Sequence, residues 1–233
     1  IMSRGAWALL PVKEGARAKS RLAGILSPRQ RADLQQAMLL DLLDGLGASQ
    51  LLSGIALCGP DPATATLAAR SGHTFIHQPA GTDGLNAAVA FATRALLSSG
   101  ARIVAVLPAD LPFLDGAELD IAIAAAALSR ACAVVPDRRG TGTNGLVFPA
   151  STPPEFRFGP DSFRRHLDRP GDQRLPPRRA LRLASLACDI DLPDDLEQLR
   201  DNASGDRARR ARALALTLQR ERRTQTPTKE IAQ

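Results

Sequence analysis

The sequence predicts a single α/β domain built on a mostly parallel β-sheet with helices on both faces. Short apolar runs alternate with segments of helical periodicity along most of the chain, as expected when helical crossovers join parallel strands. The 233 residues, 44% of them apolar, are enough to form a substantial core. Neither an internal repeat nor a long linker divides the chain, so one domain is favoured.

The predicted strands are short, apolar and bounded by turn or loop residues. The most apolar is Arg102–Leu107, which leads directly into Pro108 and Asp110, so that a carboxylate lies just beyond a central strand. In chain order the predicted strands are Trp7–Val12, Ile55–Cys58, Thr74–Ile76, Arg102–Leu107, Cys132–Val135 and Leu146–Phe148.

The predicted helices lie between these strands and have recognisable ends. Ser27 is a typical N-cap followed by Pro28 at the first helical position, and leucine or methionine then recurs every four residues as far as Leu46. Asp115 is placed to cap a long alanine-rich helix. The predicted helices run from Pro28 to near Gly47, over Pro62–Arg70, over Leu85–Leu97, and from the Asp115 cap to Arg130.

The cysteines and the apolar runs indicate the compartment. Cys58, Cys132 and Cys188 are odd in number, far apart and without C-x-x-C spacing, so neither a disulfide framework nor a zinc site is predicted. No apolar run reaches the roughly 18 residues of a membrane span, and the first residues lack the pattern of a secretory signal. We therefore expect a cytoplasmic protein without a membrane partner.

The excess positive charge lies in the last third of the chain. The formal net charge is +6, to which residues 1–163 contribute 14 − 13 = +1 and residues 164–233 contribute 16 − 11 = +5. Residues 204–233, which follow a predicted domain of residues 1–203, are interpreted as an arginine-rich helix or a disordered tail. Nucleic-acid binding is the alternative, and it is disfavoured because no aromatic residue lies among these arginines.

Ligands of open parallel sheets bind beyond the carboxyl ends of the strands, so the polar loops at that edge are the first candidates for a functional site. Their residue types are typical of phosphate and metal chemistry. These loops contain Lys13, Lys19, Ser20 and Arg21 after the first strand, Asp110 after the central strand, Gly140–Asn144 after a later strand, and Asp189 with Asp191 near a late strand.

Asp189 and Asp191 are separated by one residue, so on a strand both carboxylates would project to the same face. Together with Asp110 they would offer the hard oxygen ligands that Mg²⁺ prefers. In the alternative interpretation, Asp191 caps the helix that begins near Pro193, and Asp189 faces solvent. The spacing alone does not decide between the two.

Lys13, Lys19 and Arg21 have the side chains needed to neutralise a polyphosphate. Arginine offers a fork of N–H donors, and lysine offers a compact charge. A solvated basic loop is the alternative interpretation. The position after the first strand favours phosphate binding.

Two motif matches are disfavoured by their context. Residues 140–145 match G-x-G-x-x-G, but Leu146–Phe148 is a predicted strand, so no helix N-terminus follows to hold a pyrophosphate, and an anion pocket of backbone N–H groups is favoured instead. Ser162 and His166 would share a helix face, but Ser162 has no G-x-S-x-G elbow and no carboxylate is placed to orient the imidazole. Covalent serine catalysis is therefore disfavoured.

A series of motifs occurs in the order typical of one family. The motifs are Pro11-Val12-Lys13, Lys19-Ser20-Arg21-Leu22, Gly84-Leu85-Asn86, Pro108-Ala109-Asp110-Leu111-Pro112, Gly142-Thr143-Asn144, Phe158-Gly159 with Ser162 and His166, and Asp189-Ile190-Asp191 with Pro193-Asp194-Asp195-Leu196. Together they resemble the 2-phospho-L-lactate guanylyltransferase family of coenzyme F420 biosynthesis, relatives of the molybdenum-cofactor guanylyltransferases. The resemblance covers about Trp7 to Arg200 and leaves the arginine-rich segment outside.

The resemblance implies a nucleotide-diphospho-sugar-transferase-like fold, which agrees with the predicted α/β domain, and it implies a set of site residues. GTP is expected to contact Pro11, Val12, Lys13, Lys19, Gly84, Leu85, Asn86 and Asp110. Mg²⁺, or alternatively Mn²⁺, is expected on Asp110, Asp189 and Asp191. The phosphorylated acid is expected at Thr143, Gly159, Ser162 and His166.

In the implied reaction, a phosphate oxygen of the acid attacks the α-phosphorus of GTP and pyrophosphate leaves. The expected catalytic residues are Lys13, Lys19, Arg21 and Asp110. No general base is needed, because a phosphate dianion is already a nucleophile. Members of the family use 2-phospho-L-lactate, phosphoenolpyruvate or 3-phospho-D-glycerate, and the whole chain most resembles the last branch. The resemblance also implies a downstream transferase that receives the product, and it is compatible with a homodimer; a molybdopterin or sugar-phosphate substrate is the nearest alternative.

Overall fold

The computed structural model describes residues 5–12, 19–168, 177–201 and 207–225, the last four of them by their backbone only. The strands are β1 (Ala6–Pro11), β2 (Leu52–Gly59), β3 (Thr74–His77), β4 (Ile103–Val106), β5 (Cys132–Pro136), β6 (Thr143–Pro149) and β7 (Arg178–Ala180). The helices are α1 (Pro28–Gly47), α2 (Pro62–Arg70), α3 (Gly84–Ser98), α4 (Gly116–Ser129), α5 (Ser162–Leu167), α6 (Pro193–Asp201) and α7 (Arg209–Gln225), and a 3-10 turn spans Ser20–Leu22.

The strands form one seven-stranded sheet in the order β3-β2-β1-β4-β6-β5-β7. β6 runs antiparallel to its neighbours β4 and β5, and the remaining neighbours pair in parallel. The prediction of a mostly parallel sheet is therefore confirmed. Because the chain builds outward from β1 in one direction and then returns to β4 on the other side, the loops after β1 and β4 meet at the same edge, where open α/β sheets bind ligands.

Alternate residues of the central strands enter cores on opposite faces of the sheet. In β1, Ala8 and Leu10 belong to the core that contains residues of α1 and α4, whereas Trp7 and Leu9 belong to the core that contains residues of α3. This follows from the two-residue period of a strand. Since both faces are covered, the strands are apolar throughout, and the predicted arrangement of helices on both faces is confirmed.

Side chains cap the helices at the predicted starts. Ser27 and Gln30 form a reciprocal capping box, in which the Gln30 N–H donates to Ser27 Oγ at 3.2 Å and the Ser27 N–H donates to Gln30 Oε1 at 2.9 Å. Asp61 accepts the N–H of Thr64 at 2.9 Å, and Asp115 accepts the N–H of Ala117 at 2.9 Å. These caps fix where α1, α2 and α4 begin.

A third apolar core joins α1 to α6 and α7. It contains Met38 from α1, Leu199 from α6 and Leu218 from α7, all buried. Of the two structures predicted for the arginine-rich segment, the described residues form a helix. The domain boundary at residue 203 stays a prediction, but α7 shares its core with the elements before that boundary.

Arginines at the start of α7 pair with acidic residues of the domain. Arg207 Nη1 lies 3.1 Å from Asp115 Oδ2, and Arg210 Nη1 lies 3.1 Å from Asp41 Oδ1. Asp41 is almost fully buried and also accepts the backbone N–H groups of Arg210 at 3.2 Å and Ala211 at 2.9 Å. Part of the excess positive charge therefore attaches α7 to the domain.

Two segments differ from the prediction. β7 pairs in parallel with β5 at the edge of the sheet, and its sequence Arg-Arg-Ala contains no apolar run that would have indicated a strand. Residues 189–191, which the sequence analysis placed near a late strand, are irregular. Ile190 holds this segment in place, because its side chain is fully buried in the third core and its N–H donates to the carbonyl of Asp110 at 3.3 Å.

The three cysteines all lie in the described part of the chain and are free. Burial raises the pKa of Cys58 to about 11 and that of Cys132 to about 12, so both are thiols at neutral pH. Among the helices of the described ranges, none has the length and apolar character to cross a membrane.

The buried carboxylate of Asp41 provides a test of how α7 is attached. We expect Asp41→Ala to lower the free energy of unfolding by about 2 kcal/mol, because the first N–H groups of α7 and the Arg210 guanidinium lose their acceptor. Urea denaturation followed by circular dichroism measures the change. Asp44→Ala is the matched control: its carboxylate also pairs with Arg210 but is exposed, so a change below about 0.5 kcal/mol is expected. Equal effects of the two substitutions would contradict this view of α7.

Candidate functional site

A cleft of about 600 Å³ opens at the carboxyl edge of the sheet, where the loops after β1 and β4 meet. Loops from distant parts of the chain contribute to it. Its lining includes Pro11, Lys19, Arg21, Leu85, Asp110, Thr143, Gly159, Ser162, Asp189 and Asp191. Most of the residues predicted for the site therefore line one cavity, which the topology of the sheet explains.

Lys19 lies at the centre of the charged end of the cleft. Its ammonium group donates to Asp110 Oδ2 and, at 2.9 Å, to Asp191 Oδ1, while only 5% of its side chain is exposed. Burial alone would lower the pKa of Lys19, but Asp110 and Asp191 outweigh burial and raise that pKa above its ordinary value. Lys19 is therefore a cation shared by two carboxylates.

Arg21 extends this ion-pair network towards solvent. Its Nη1 atom donates to Asp191 Oδ2 at 2.9 Å, and the Arg21 side chain is 64% exposed. Both oxygens of Asp191 thus accept from basic groups that face the cleft. The hydrogen bonds of Lys19 and Arg21 bring the loop after β1 against the segment before α6.

Two carboxylates of the cleft are not fully stabilised by hydrogen bonds or by positive charges. Asp110 Oδ1 is buried and has no hydrogen-bond partner among the residues that the structure describes. Asp189 accepts from Asn144 Nδ2 at 3.1 Å, yet burial, with a smaller contribution from the Asp110 carboxylate, raises the pKa of Asp189 above its ordinary value. The site thus has a local excess of buried negative charge beside the Lys19 ammonium.

The predicted metal ligands border the same cleft without forming a ready-made metal site. Among the described residues, no group of three His, Cys, Asp or Glu side chains is arranged to hold a metal ion. The physical reason is that the Lys19 ammonium lies between the carboxylates of Asp110 and Asp191. The assignment of Asp110, Asp189 and Asp191 as metal ligands stays a prediction.

The segment that carries Asp191 is held by Asp195. Asp195 is buried, and its Oδ2 accepts the N–H groups of Asp191 at 2.9 Å and Leu192 at 2.7 Å, just before α6 begins. Arg138 Nη2 pairs with Asp195 Oδ1 at 2.8 Å. These contacts direct the Asp191 side chain towards Lys19 and Arg21 although the segment is not a strand.

A second part of the cleft carries neutral hydrogen-bonding groups. Thr143 begins β6, Ser162 begins α5, and both are nearly fully buried where they line the cleft. Gly159 has a φ of +123°, a conformation that L side chains rarely adopt, and a Cβ atom there would lie 3.2 Å from Arg165 Nη2. A glycine is therefore required where this loop turns into the cleft.

His166 lies behind this part of the cleft and has no exposed surface. Its Nδ1 atom is 2.9 Å from Thr143 Oγ1, and its Nε2 atom accepts the N–H of Arg157 at 2.8 Å. Burial, assisted by the positive charges of Arg178, Arg165 and Arg157, lowers the pKa of His166 to about 4. His166 is thus neutral near pH 7, and it contacts a residue of the cleft wall rather than the open space where a substrate contact was predicted.

The turn at the start of α3 holds the neighbouring loop. Asn86 donates from Nδ2 to the carbonyl of Phe158 at 3.2 Å and accepts the Phe158 N–H on Oδ1 at 2.7 Å. Gly84 has a φ of +84°, and Leu85 lines the cleft. The predicted nucleotide contacts of Gly84 and Asn86 are not tested by these interactions, which attach Asn86 to the loop before Gly159.

Two residues predicted to bind the nucleotide, Val12 and Lys13, are not among the described residues that line the cleft. Val12 is buried and donates its N–H to the carbonyl of Cys58 at 2.7 Å. Lys13 lies outside the described residues. Their predicted roles remain predictions.

Several cleft residues were not predicted as site residues. Asp137 and Arg139 are two of them and line the cleft from the loop between β5 and β6, as does Thr141, which belongs to the predicted loop Gly140–Asn144. Asp137 Oδ1 accepts the N–H of Thr141 at 2.9 Å, and a Cβ atom on Gly142 would lie 2.8 Å from Asp137 Oδ2. The signal that could have identified them is their position beside the G-x-G-x-x-G match at the end of a strand. As predicted, Leu146–Phe148 is part of a strand and not of a helix: β6 begins at Thr143, within that match.

Comparison with known proteins identifies the family of this chain. The family model described as "Guanylyl transferase CofC like" matches residues 6–229, so the match extends through α7 and beyond the predicted limit near Arg200. A phosphoenolpyruvate guanylyltransferase of Sphaerobacter thermophilus is 37% identical over 196 residues, covering 84% of this chain and 93% of that relative. One from Rubrobacter xylanophilus is 35% identical over 206 residues, covering 85% and 94%.

Solved structures show the same fold at low sequence identity. A protein of Desulfovibrio desulfuricans G20 assigned to the nucleotide-diphospho-sugar transferases superposes with a TM-score of 0.66 at 20% identity, covering 93% of this chain and 97% of that one. A 4-diphosphocytidyl-2C-methyl-D-erythritol synthase superposes with a TM-score of 0.56 at 13% identity, covering 84% and 98%. The chain belongs to the CofC-like guanylyl transferase family, and it is a nucleotidyltransferase with a nucleotide-diphospho-sugar-transferase-like fold.

Proposed function

We propose that this enzyme transfers GMP from GTP to the phosphate of a small phosphorylated carboxylic acid, with release of pyrophosphate, in coenzyme F420 biosynthesis. The observation that carries the proposal is that one cleft is lined both by charged side chains, Lys19 and Arg21 with three aspartates, and by the hydrogen-bonding residues Thr143, Gly159 and Ser162. The basic side chains suit a triphosphate, and the hydrogen-bonding residues suit a small anion. Phosphoenolpyruvate is the first candidate acid, because the relatives described above are named for it; 2-phospho-L-lactate and 3-phospho-D-glycerate are the alternatives.

The basic residues would bind the triphosphate. Arg21 is exposed at the mouth of the cleft and offers a planar fork of donors, whereas Lys19 is a buried point charge. Arg139 lines the same cleft, and Lys13 precedes Lys19 in the loop after β1. When a triphosphate binds, its oxygens would compete with Asp110 and Asp191 for Lys19 and Arg21. These two basic residues would then stabilise the charge that develops on the departing pyrophosphate.

A divalent ion is proposed for the acidic part of the cleft. Asp110, Asp189 and Asp191 would hold it; in support, Asp110 Oδ1 is buried without a partner among the described residues, and burial raises the pKa of Asp189. These hard oxygen donors suit Mg²⁺, with Mn²⁺ as an alternative. When bound, the ion supplies neutralisation of the negative charge on the phosphates.

The chain's own residues would act by positioning and by electrostatics. One phosphate oxygen of the acid forms a bond to the α-phosphorus of GTP, and the bond from that phosphorus to the bridging oxygen breaks as pyrophosphate leaves. No side chain has to remove a proton, because the attacking phosphate is already anionic. The cleft has to hold two anions in line, and it offers the cations of Lys19 and Arg21 together with the hydrogen-bonding groups of Thr143 and Ser162 for that purpose. The guanylylated acid would then pass to a downstream transferase.

The direct test is a matrix of pyrophosphate-release assays. The enzyme with Mg²⁺ is incubated with each of the four nucleoside triphosphates and each of the three acids, and a coupled transferase captures a labile product. We expect release with GTP and at least one acid, and little or none with either substrate alone. Release with CTP or ATP in place of GTP, or no release with any of the three acids, would overturn the proposed substrates.

Asp110 gives the sharpest single substitution. We expect Asp110→Asn to lower kcat by about 100-fold or more, because the charge that faces Lys19 and the phosphates is lost from a preorganised site. Asp168→Asn is the control: this aspartate is exposed beyond α5, and its ion pair with Arg164 is a surface contact. Undiminished turnover of Asp110→Asn in Mg²⁺ would remove Asp110 from the reaction.

A further inference from the structure

The buried ring of His166 is fixed from several sides. The backbone N–H of Arg157 donates to Nε2 at 2.8 Å, and Nδ1 lies 2.9 Å from Thr143 Oγ1. The Phe158 ring packs against the imidazole edge-on, with ring centroids 4.9 Å apart. No part of His166 is exposed, so water does not compete for either ring nitrogen.

These contacts determine the proton on the imidazole. A backbone N–H can only donate, so the Nε2 atom that receives it carries no proton. The ring is therefore neutral, and its one proton is on Nδ1. The positive charges of Arg157, Arg165 and Arg178 around the ring, together with its burial, also disfavour the imidazolium form.

The proton on Nδ1 in turn determines the polarity of the Thr143 hydroxyl. Since Nδ1–H donates, Thr143 Oγ1 accepts from it, and the hydroxyl proton must point elsewhere. Thr143 lines the cleft. Its O–H is thereby available as a donor to a ligand in the cleft.

We propose that His166 is a positioning residue that holds the Thr143 hydroxyl as a hydrogen-bond donor towards an anionic oxygen of the phosphorylated acid. The inference rests on the proposed function for the identity of the anion. Phosphate and carboxylate oxygens only accept, so a hydroxyl with a fixed donor direction discriminates for them. A threonine free to rotate would spend part of its time with a lone pair facing the anion.

His166 also holds in place the loop that positions Gly159 at the cleft. His166 accepts the N–H of Arg157, and Asn86 accepts the N–H of the next residue, Phe158, at 2.7 Å. Two consecutive backbone donors are therefore anchored immediately before Gly159. Substitutions of His166 must separate this loop contact from the contact with Thr143.

Two substitutions separate the contact of His166 with Thr143 from its contact with Arg157. In His166→Gln, the side-chain carbonyl can reach the Nε2 position and accept the Arg157 N–H, but no donor remains for Thr143. In His166→Asn, the side-chain amide lies near the Nδ1 position and can donate to Thr143, but Arg157 loses its acceptor. The proposal predicts different kinetic consequences for the two variants.

For His166→Gln we expect the KM for the acid to rise about tenfold, with the KM for GTP changed less than about twofold. The tenfold change corresponds to about 1.4 kcal/mol, as expected for one hydrogen bond to an anion. For His166→Asn we expect a KM for the acid within about threefold of wild type and a lower Tm. His73→Gln, at a half-exposed histidine outside the cleft, is the control and should match wild type.

A double-variant comparison tests whether His166 acts through Thr143. If it does, Thr143→Val and the combination of Thr143→Val with His166→Gln have the same KM for the acid, because the hydroxyl that His166 orients is already absent. Independent, multiplicative effects of the two substitutions would overturn the proposal. An unchanged KM for the acid in His166→Gln would overturn it as well.

Nitrogen NMR of the wild-type protein tests the underlying proton position without any assay. The chain has three histidines, so ¹⁵N-labelled imidazoles give a resolvable spectrum, and His166→Asn identifies the signals of His166. We expect at pH 7 an Nδ1–H tautomer with an unprotonated Nε2. An Nε2–H tautomer or an imidazolium would refute the proposal even if guanylyl transfer is confirmed. The expected tautomer with no guanylyl transfer would instead leave the orienting role of His166 intact and refute the proposed substrate.

Discussion

The site depends on one electrostatic constraint, which is that carboxylates from distant parts of the chain converge on the ammonium of Lys19. Asp110 and Asp191 both accept hydrogen bonds from this group, and Asp189 lies nearby in a partly buried position. Like charges at such short range are compatible with folding only when a cation lies among them. The ammonium of Lys19 therefore stabilises the cleft in the free protein.

The fold explains why these side chains meet. β1 and β4 are neighbours at the centre of the sheet, so Lys19 and Asp110, 91 residues apart in sequence, follow adjacent strand ends. The third core positions Asp189 and Asp191, because Ile190, which lies between them in sequence, is buried in that core. α7 completes that core, and Asp41 caps its first turn. The arginine-rich helix α7 therefore packs in the same core as the segment that carries Asp189 and Asp191.

The sequence predicts the sheet and most of its helices because strands buried on both faces are apolar throughout and helix caps are local signals, as at Ser27 and Asp115. It also predicts which loops line the cleft, since parallel strands place their following loops at one edge. It does not predict the irregular path of residues 189–191, because that path depends on the distant contacts of Ile190 and Asp195. The position of His166 behind Thr143 depends in the same way on the loop at Arg157, which only the folded chain brings close.

The proposed mechanism requires that Asp110, Asp189 and Asp191 share a cation with the phosphates of GTP. A crystal structure with Mn²⁺ and a non-hydrolysable GTP analogue tests this requirement, because the anomalous signal locates the metal independently of any assumed role. We expect an anomalous peak in contact with at least two of these carboxylates and with the nucleotide phosphates, and a Lys19 ammonium that contacts phosphate. A nucleotide bound outside this cleft, or a metal that touches none of the three aspartates, would contradict the proposed mechanism.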